Sequence, residues 1–355
     1  MPVDKVREMH GLREVPVDRK YYIGFPDEPL TEAQEEQNRV DRHNVILGDE
    51  YNGLQLELCC LLDDKIFVAE SLKFVASKVT GIQSQNAGAE MKPAGIAEGL
   101  PLSERKKIVK TRLRDARLAY QHDIETLRML SGFLMTRTFS RPKDYPEPDT
   151  PEVLYRAFKG GCHSRHSKDL GFRSSNQPLT SPSYQNGTLL DSSLVDEDAL
   201  RTQCEGRKPS DLIALSDSPS RVFNVTQGWD FEDMKGDMIA VINVSKLLGM
   251  GVLFNRTTTL AKSLNMTLRT ARQPGGLQYA NPNYWVAYRW VSAECIEFYI
   301  SLSFLRKACE IRGIGTWPSI HFQHFLTVHE TGENDFGVNF SLEEILAFKV
   351  QDLSM

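Results

Sequence analysis

Asn283-Tyr284-Trp285-Val286-Ala287-Tyr288-Arg289-Trp290-Val291-Ser292-Ala293-Glu294-Cys295-Ile296 is the stretch on which the fold turns. Aromatic and β-branched residues crowd Tyr284 to Trp290, the composition of an extended strand. Glu294 to Tyr299 reads as a second strand, and Phe304 to Arg312 as a helix closed by Gly313. Upstream, Met238 to Val244 is a strand that leads into a turn or helix at Ser245-Lys246-Leu247-Leu248, and Leu260 to Leu264 lies in a short helix. Leu212-Ile213-Ala214-Leu215 is a strand, and Ser218-Pro219 pairs a helix cap with proline at the first helical position. Val153 to Phe158 is a short apolar strand. Downstream, Ser341-Leu342-Glu343-Glu344 forms a capping box for a helix through Val350.

Before Val153 the periodicity is helical. Leu54, Leu58, Leu61, Leu62, Ala69, Leu72, Val75, Ala76 and Val79 recur at the spacing of one helix face. Gly81 to Pro101 is a Gly-, Ala-, Gln- and Pro-rich connection. Ser103 reads as the cap of a second long helix, with a stripe from Ile108 through Leu113, Tyr120 and Leu127 to Leu134. Two such helices pack most simply against each other. Pro142, Pro146, Pro148 and Pro151 end the helical part. The predicted organisation is an irregular arm at 1–30 and a region of two long helices at 31–140. An α+β domain follows at 153–316 with a polar insertion near 174–210, then a C-terminal tail at 317–355 with a short helix.

The 355 residues are enough for two domains and a sizeable core. A net charge of −5 and a pI near 6.0 argue against a dedicated nucleic-acid binder. The chain holds no run of eighteen apolar residues, so no membrane span is expected. Its first residues lack the apolar core of a secretory signal. Six cysteines, two of them adjacent at Cys59-Cys60, do not make a disulfide framework. An intracellular, cytoplasmic setting is expected. Six Asn-x-Ser/Thr sequons occur, at Asn186, Asn224, Asn243, Asn255, Asn265 and Asn339, and several fall in segments that read as buried.

Four separated stretches carry the chemistry: Leu154-Tyr155-Arg156, then Leu170-Gly171-Phe172-Arg173, then Leu215-Ser216-Asp217-Ser218, then the quoted Asn283–Ile296 segment. In this order they resemble the pertussis- and cholera-type mono-ADP-ribosyltransferases. The resemblance covers residues 153–312 and implies a split, twisted pair of β-sheets with flanking helices. It also implies a pocket for NAD built from an arginine, a Ser-Thr-Ser strand and a glutamate. Arg156 stands where the family arginine holds the dinucleotide phosphate, and Ser216 and Ser218 where its serines line the pocket. Ile239 to Gly251 and Gly276 to Pro282 are also similar to a family of fungal proteins that share this domain without an established activity.

The glutamate position differs. Val291-Ser292-Ala293-Glu294-Cys295-Ile296 matches the end of the family segment. Counting back puts Tyr284 at the catalytic position, or Asn283 if one residue is inserted. Neither carries a negative charge. Glu294 matches a glutamate that the toxins have in addition to the catalytic one, and Glu297 lies further along. Loss of one electrostatic stabiliser in a site of this kind costs roughly 3–4 kcal/mol, on the order of a hundred- to thousandfold in rate. The expectation is a degenerate domain that binds NAD or a related nucleotide through Arg156, Ser216 and Ser218 without efficient catalysis. The alternatives are an active mono-ADP-ribosyltransferase or NAD glycohydrolase, and a non-enzymatic interaction scaffold that meets a protein partner through its helical region.

Other signals are weaker. His321, His324 and His329 with Glu330 would have to converge to hold a metal, and on a strand the first two point to opposite faces. Cys162, His163 and His166 have no cysteine pair to complete a site, so no metal is expected. Arg105, Lys106, Lys107, Lys110, Arg112, Arg114 and Arg117 concentrate charge early in the second helix, where the helix dipole disfavours cations. A solvated helix face is the plainer reading of that cluster.

Overall fold

The computed structural model describes residues 12, 14–16, 31–80, 99–138, 150–159, 165–174, 190–205, 209–226, 239–267, 282–314 and 339–353. The chain divides into two compact units, residues 1–127 and 128–355. The division falls inside the second long helix, not in the proline-rich stretch at 142–151.

The first unit is built on α1 (Glu32–Thr80) and the larger part of α2 (Leu102–Thr138). Thr31 and Gln34 cap α1 reciprocally. The Thr31 N–H donates to Gln34 Oε1 at 2.8 Å and the Gln34 N–H to Thr31 Oγ1 at 3.3 Å. At α2 the Pro101 carbonyl accepts from the N–H groups of Glu104 and Arg105. The helix therefore starts one residue before Ser103, within the usual fraying of helix ends. Contacts between the helices advance in one direction: Lys106 meets Glu50, and Arg117 meets Glu57. The two helices thus run parallel, with Tyr51, Leu58, Cys59, Val109, Leu113 and Ala116 between them. Leu12, in the N-terminal stretch expected to be an irregular arm, is 2% exposed in this core.

The second unit is α+β. Arg128 pairs with Asp169, tying the last turns of α2 to it. Its strands are β1 (Val153–Ala157), β2 (Arg165–Ser167), β3 (Gly171–Arg173), β4 (Leu212–Ser216), β5 (Ile239–Asn243), β6 (Phe254–Arg256), β7 (Tyr284–Tyr288), β8 (Trp290–Val291) and β9 (Ile296–Ile300). Among the described residues these form two antiparallel sheets. Six strands lie in the order β6-β7-β4-β1-β5-β9, and three in the order β2-β3-β8. The helices are α3 (Glu197–Glu205), α4 (Pro219–Thr226), α5 (Val244–Gly249), α6 (Thr257–Ser263), α7 (Leu302–Arg312) and α8 (Leu342–Leu353).

The segment that reads as one extended run from Tyr284 to Trp290 breaks at Arg289. This residue has φ +62, a left-handed conformation that costs a non-glycine side chain strain. The corner is held on both sides. The Arg289 N–H donates to the Asp211 carbonyl and its carbonyl accepts from the Ser174 N–H, both at 2.8 Å, while its guanidinium pairs with Asp211 at 3.2 Å. The chain thereby leaves the large sheet at β7 and enters the small one at β8.

Alternation along the strands sends Val153 and Tyr155 of β1, and Ile239 and Val241 of β5, into a core shared with α4, α7 and α8. Phe340 and Ile345 lie in this same core, and Asn339 Nδ2 donates to the Val153 carbonyl at 2.9 Å. The helix expected in a separate tail therefore closes the core. Its capping box is formed as the sequence implies. The Glu344 N–H donates to Ser341 Oγ at 3.1 Å and the Ser341 N–H to Glu344 Oε2 at 2.8 Å. A second core joins Leu190, Val195, Leu200 and Cys204 to β4, β7 and α6. Residues 190–205 were expected within a polar insertion, yet these four side chains, dispersed among Asp and Ser, are buried. Residues 175–189 and 206–208 lie outside the described residues.

Candidate functional site

A cavity of about 330 Å³ opens where β1 and β4 part. The two strands share one register pair, Tyr155 opposite Ser216. Beyond it the cavity is walled by Arg156 and Ala157 on one side and by Ala214 and Leu215 on the other. The end of α3 contributes Gln203, Cys204 and Glu205, α4 contributes Arg221, Val222 and Val225, and β7 contributes Tyr284. Apolar walls with a few polar groups are the usual make-up of a small-ligand site.

Arg156 is only 7% exposed. Its Nη1 donates to the Ala214 carbonyl at 2.6 Å, bridging the gap between the parted strands. The guanidinium also lies over the Phe172 ring, 4.9 Å from its centroid. Phe172 is brought there by Gly171, whose φ is +78. A Cβ at Gly171 would meet the Val291 carbonyl oxygen at 2.1 Å, so only glycine fits.

Ser216 works as a strand tie at the cavity wall. Its hydroxyl donates to the Asn283 carbonyl at 2.9 Å and accepts from the Ser218 N–H at 3.1 Å. Ser218 is fully buried and caps α4 by accepting from the Arg221 N–H at 3.3 Å. It is not among the residues that wall the cavity. Of the three residues expected to hold a nucleotide, the structure brings Arg156 and Ser216 to one cavity and gives Ser218 a capping role.

At the expected glutamate position the cavity presents Tyr284. Its hydroxyl accepts from Gln203 Nε2 at 3.0 Å. Burial, with the Cys204 thiol beside it, pushes its pKa up to about 12. It is a neutral phenol at any physiological pH. Asn283 points elsewhere: its Nδ2 donates to Asp217 Oδ1 at 2.8 Å. The other Asp217 oxygen accepts from the Trp285 indole at 2.8 Å and lies 3.7 Å from Arg256. Glu294 accepts from the Ser292 hydroxyl on the turn before β9. Glu297 pairs with Lys246 at 2.9 Å. Neither walls the cavity, where Glu205 supplies the carboxylate among the described residues.

Arg221, Gln203 and Glu205 were not singled out by sequence reasoning. For Arg221 a signal existed. It lies in the first turn of α4, where the helix dipole disfavours a cation, the same criterion that marks the cluster at Arg105–Arg117. In that cluster Arg105 lies over Tyr51, 4.9 Å from the ring centroid, and Lys106 and Arg117 pair with Glu50 and Glu57. These three cations lie at the contact between α1 and α2.

His166 sits apart from the cavity wall, its Nε2 2.9 Å from the Tyr299 hydroxyl. Burial, then Arg156 and Lys168, lowers its pKa to about 4. No group of three or more metal-ligating side chains converges among the described residues. His321, His324, His329, Glu330, Cys162 and His163 lie outside them. Among the described residues no helix is long and apolar enough to cross a membrane.

Residues 149–305 match a domain of unknown function (DUF7587). This stretch begins just before β1, ends inside α7 and includes every residue of the cavity wall. No curated protein and no solved structure matches the chain.

Proposed function

We propose that the second unit is an ADP-ribosyltransferase-like domain whose cavity binds NAD or a related nucleotide without efficient catalysis. The observation that supports this most is a convergence. Arg156, Ser216 and Tyr284, from three separated stretches of sequence, wall one cavity, and a neutral phenol stands where the resembled family carries a carboxylate. Stabilising an oxocarbenium-like sugar calls for a nearby anion. Tyr284, hydrogen-bonded to Gln203, does not supply one. The chain works inside the cell, with neither nucleic acid nor a membrane as partner and no metal cofactor.

One observation favours a second reading, an active NAD glycohydrolase or transferase: the Glu205 carboxylate on the cavity wall. Nicotinamide release from NAD separates the two. The preferred reading predicts a rate at the spontaneous background for the wild-type protein. Release above background that disappears in Glu205→Gln would establish the second reading instead. The third reading, a scaffold without a ligand, predicts no NAD binding at all.

A further inference from the structure

We infer that Arg221, not Arg156, is the principal anion-holding residue of this cavity, and that its ligand presents a diphosphate to it. This rests on the nucleotide-binding reading and names a residue that the family resemblance does not.

Arg221 lies over the Tyr284 ring at 4.3 Å from the centroid. Stacking engages the flat face of a guanidinium and leaves the in-plane N–H donors at its edge open. Its side chain makes no hydrogen bond or ion pair with another described residue. The groups whose charge acts on it are Tyr284 and Cys204, both acids raised to about 12, and then Asp217, whose two oxygens accept from Asn283 and Trp285. Glu205 shares the cavity wall but forms no ion pair with Arg221. Arg221 is part-buried, and burial lowers its pKa, the mark of a cation whose partial desolvation is not fully compensated. Its place in the first turn of α4, beside the positive end of the helix dipole, adds to the cost of leaving it unpaired. An anion bound in the cavity relieves all three effects.

Arg156 is differently placed. With Nη1 on the Ala214 carbonyl and its flat face over Phe172, it is committed to holding β1 against β4. A diphosphate suits a cavity lined by two arginines better than a single phosphate, because it can face Arg221 while its second charge lies in the field of Arg156. Val222, Val225, Ala214 and Leu215 leave an apolar surface for the remainder of the ligand.

The test measures binding of NAD, ADP-ribose, adenosine and inorganic pyrophosphate to the full chain, for wild type, Arg221→Ala and Arg221→Lys. Thermal unfolding serves as the folding control. ADP-ribose should bind and adenosine should not. Arg221→Ala should weaken ADP-ribose on the order of ten- to a hundredfold. Arg221→Lys, a point charge without the planar fork, should weaken it by a smaller factor. Should Arg221→Ala fail to fold, Arg221→Lys alone decides. Affinities unchanged by a folded Arg221 variant would overturn the assignment and leave the nucleotide reading intact. Pyrophosphate binding that depends on Arg221, with no binding of NAD or ADP-ribose, would keep the anion site and refute the nucleotide reading. Absence of binding by all four probes would refute both.

Discussion

The Ser216 hydroxyl donates to the backbone carbonyl of Asn283 at 2.9 Å, tying the end of β4 to the residue that precedes β7. The bond fixes the wall of the cavity at the point where Ser216 stands opposite both Tyr155 and Tyr284 in the sheet. Ser216→Ala leaves a buried carbonyl and the Ser218 N–H without that partner. A loss of about 1–3 kcal/mol is expected, measured as a lower midpoint in urea unfolding with an unchanged slope. A change below a few tenths would show that the tie is incidental.

Asp217 is the electrostatic anchor of the same corner. Replacing it with Ala removes the acceptor of the Asn283 amide and the Trp285 indole, and the acid 3.7 Å from Arg256. The cost should be about 3–5 kcal/mol, larger than for any single neutral hydrogen bond nearby. Asp217→Asn keeps the shape and some of the bonds, so it should fall between wild type and Asp217→Ala in thermal unfolding.

His166 gives the fold a pH dependence with a definite sign. Its pKa is about 4 in the folded protein against an ordinary 6.5. Between those values the unfolded chain binds the proton and the folded chain does not. Stability therefore rises with pH through that window, is fully present above pH 6.5 and is lost as pH falls toward 4. The half-exposed ring limits the effect to on the order of 1–2 kcal/mol. Urea midpoints from pH 4 to 7 should show a slope for wild type that is reduced in His166→Gln. Equal slopes would contradict the assignment.

The Cys204 thiol, on the cavity wall, is raised to about 12 by burial. At pH 8 it is no nucleophile. Of the five described cysteines, Cys60 is exposed and the other four are buried. Mild alkylation of the native protein should therefore modify Cys60 quickly and Cys204 only on unfolding, as read by peptide mass spectrometry. Rapid labelling of Cys204 would mean that the cavity opens far more than the structure implies.

Tyr284→Glu tests the proposed function by placing a carboxylate in the cavity where, on that proposal, catalysis requires one. Set beside Arg221, the carboxylate should raise nicotinamide release on the order of a hundredfold over wild type if the cavity seats the nicotinamide ribose. An unaltered rate in a variant that still folds and binds NAD would place the reacting bond elsewhere.

Much of this architecture was legible in the sequence because it depends on short-range chemistry. Apolar runs gave β1, β4 and β5, and the Ser341–Glu344 capping box and the left-handed Gly313 marked helix ends. The rest was not legible, for identifiable reasons. The strand order β6-β7-β4-β1-β5-β9 is a matter of non-local pairing, which periodicity does not encode. Strands of two or three residues, such as β2, β3 and β8, are too short to show alternation. The corner at Arg289 depends on Asp211 and Ser174, distant in sequence. At the site, Arg156, Ser216 and Tyr284 could be named from motifs. Gln203 and Glu205 could not, because they arrive on a helix inside a stretch whose composition is that of a loop. Arg221 was visible only as a cation in an unfavourable turn.

The most direct measurement is a calorimetric titration of the full chain with NAD, with free nicotinamide assayed in the same cell afterwards. Saturable binding at one site is expected, with no nicotinamide above the spontaneous background. The absence of any binding heat at millimolar NAD, confirmed by an unshifted melting temperature, would contradict the nucleotide-binding reading.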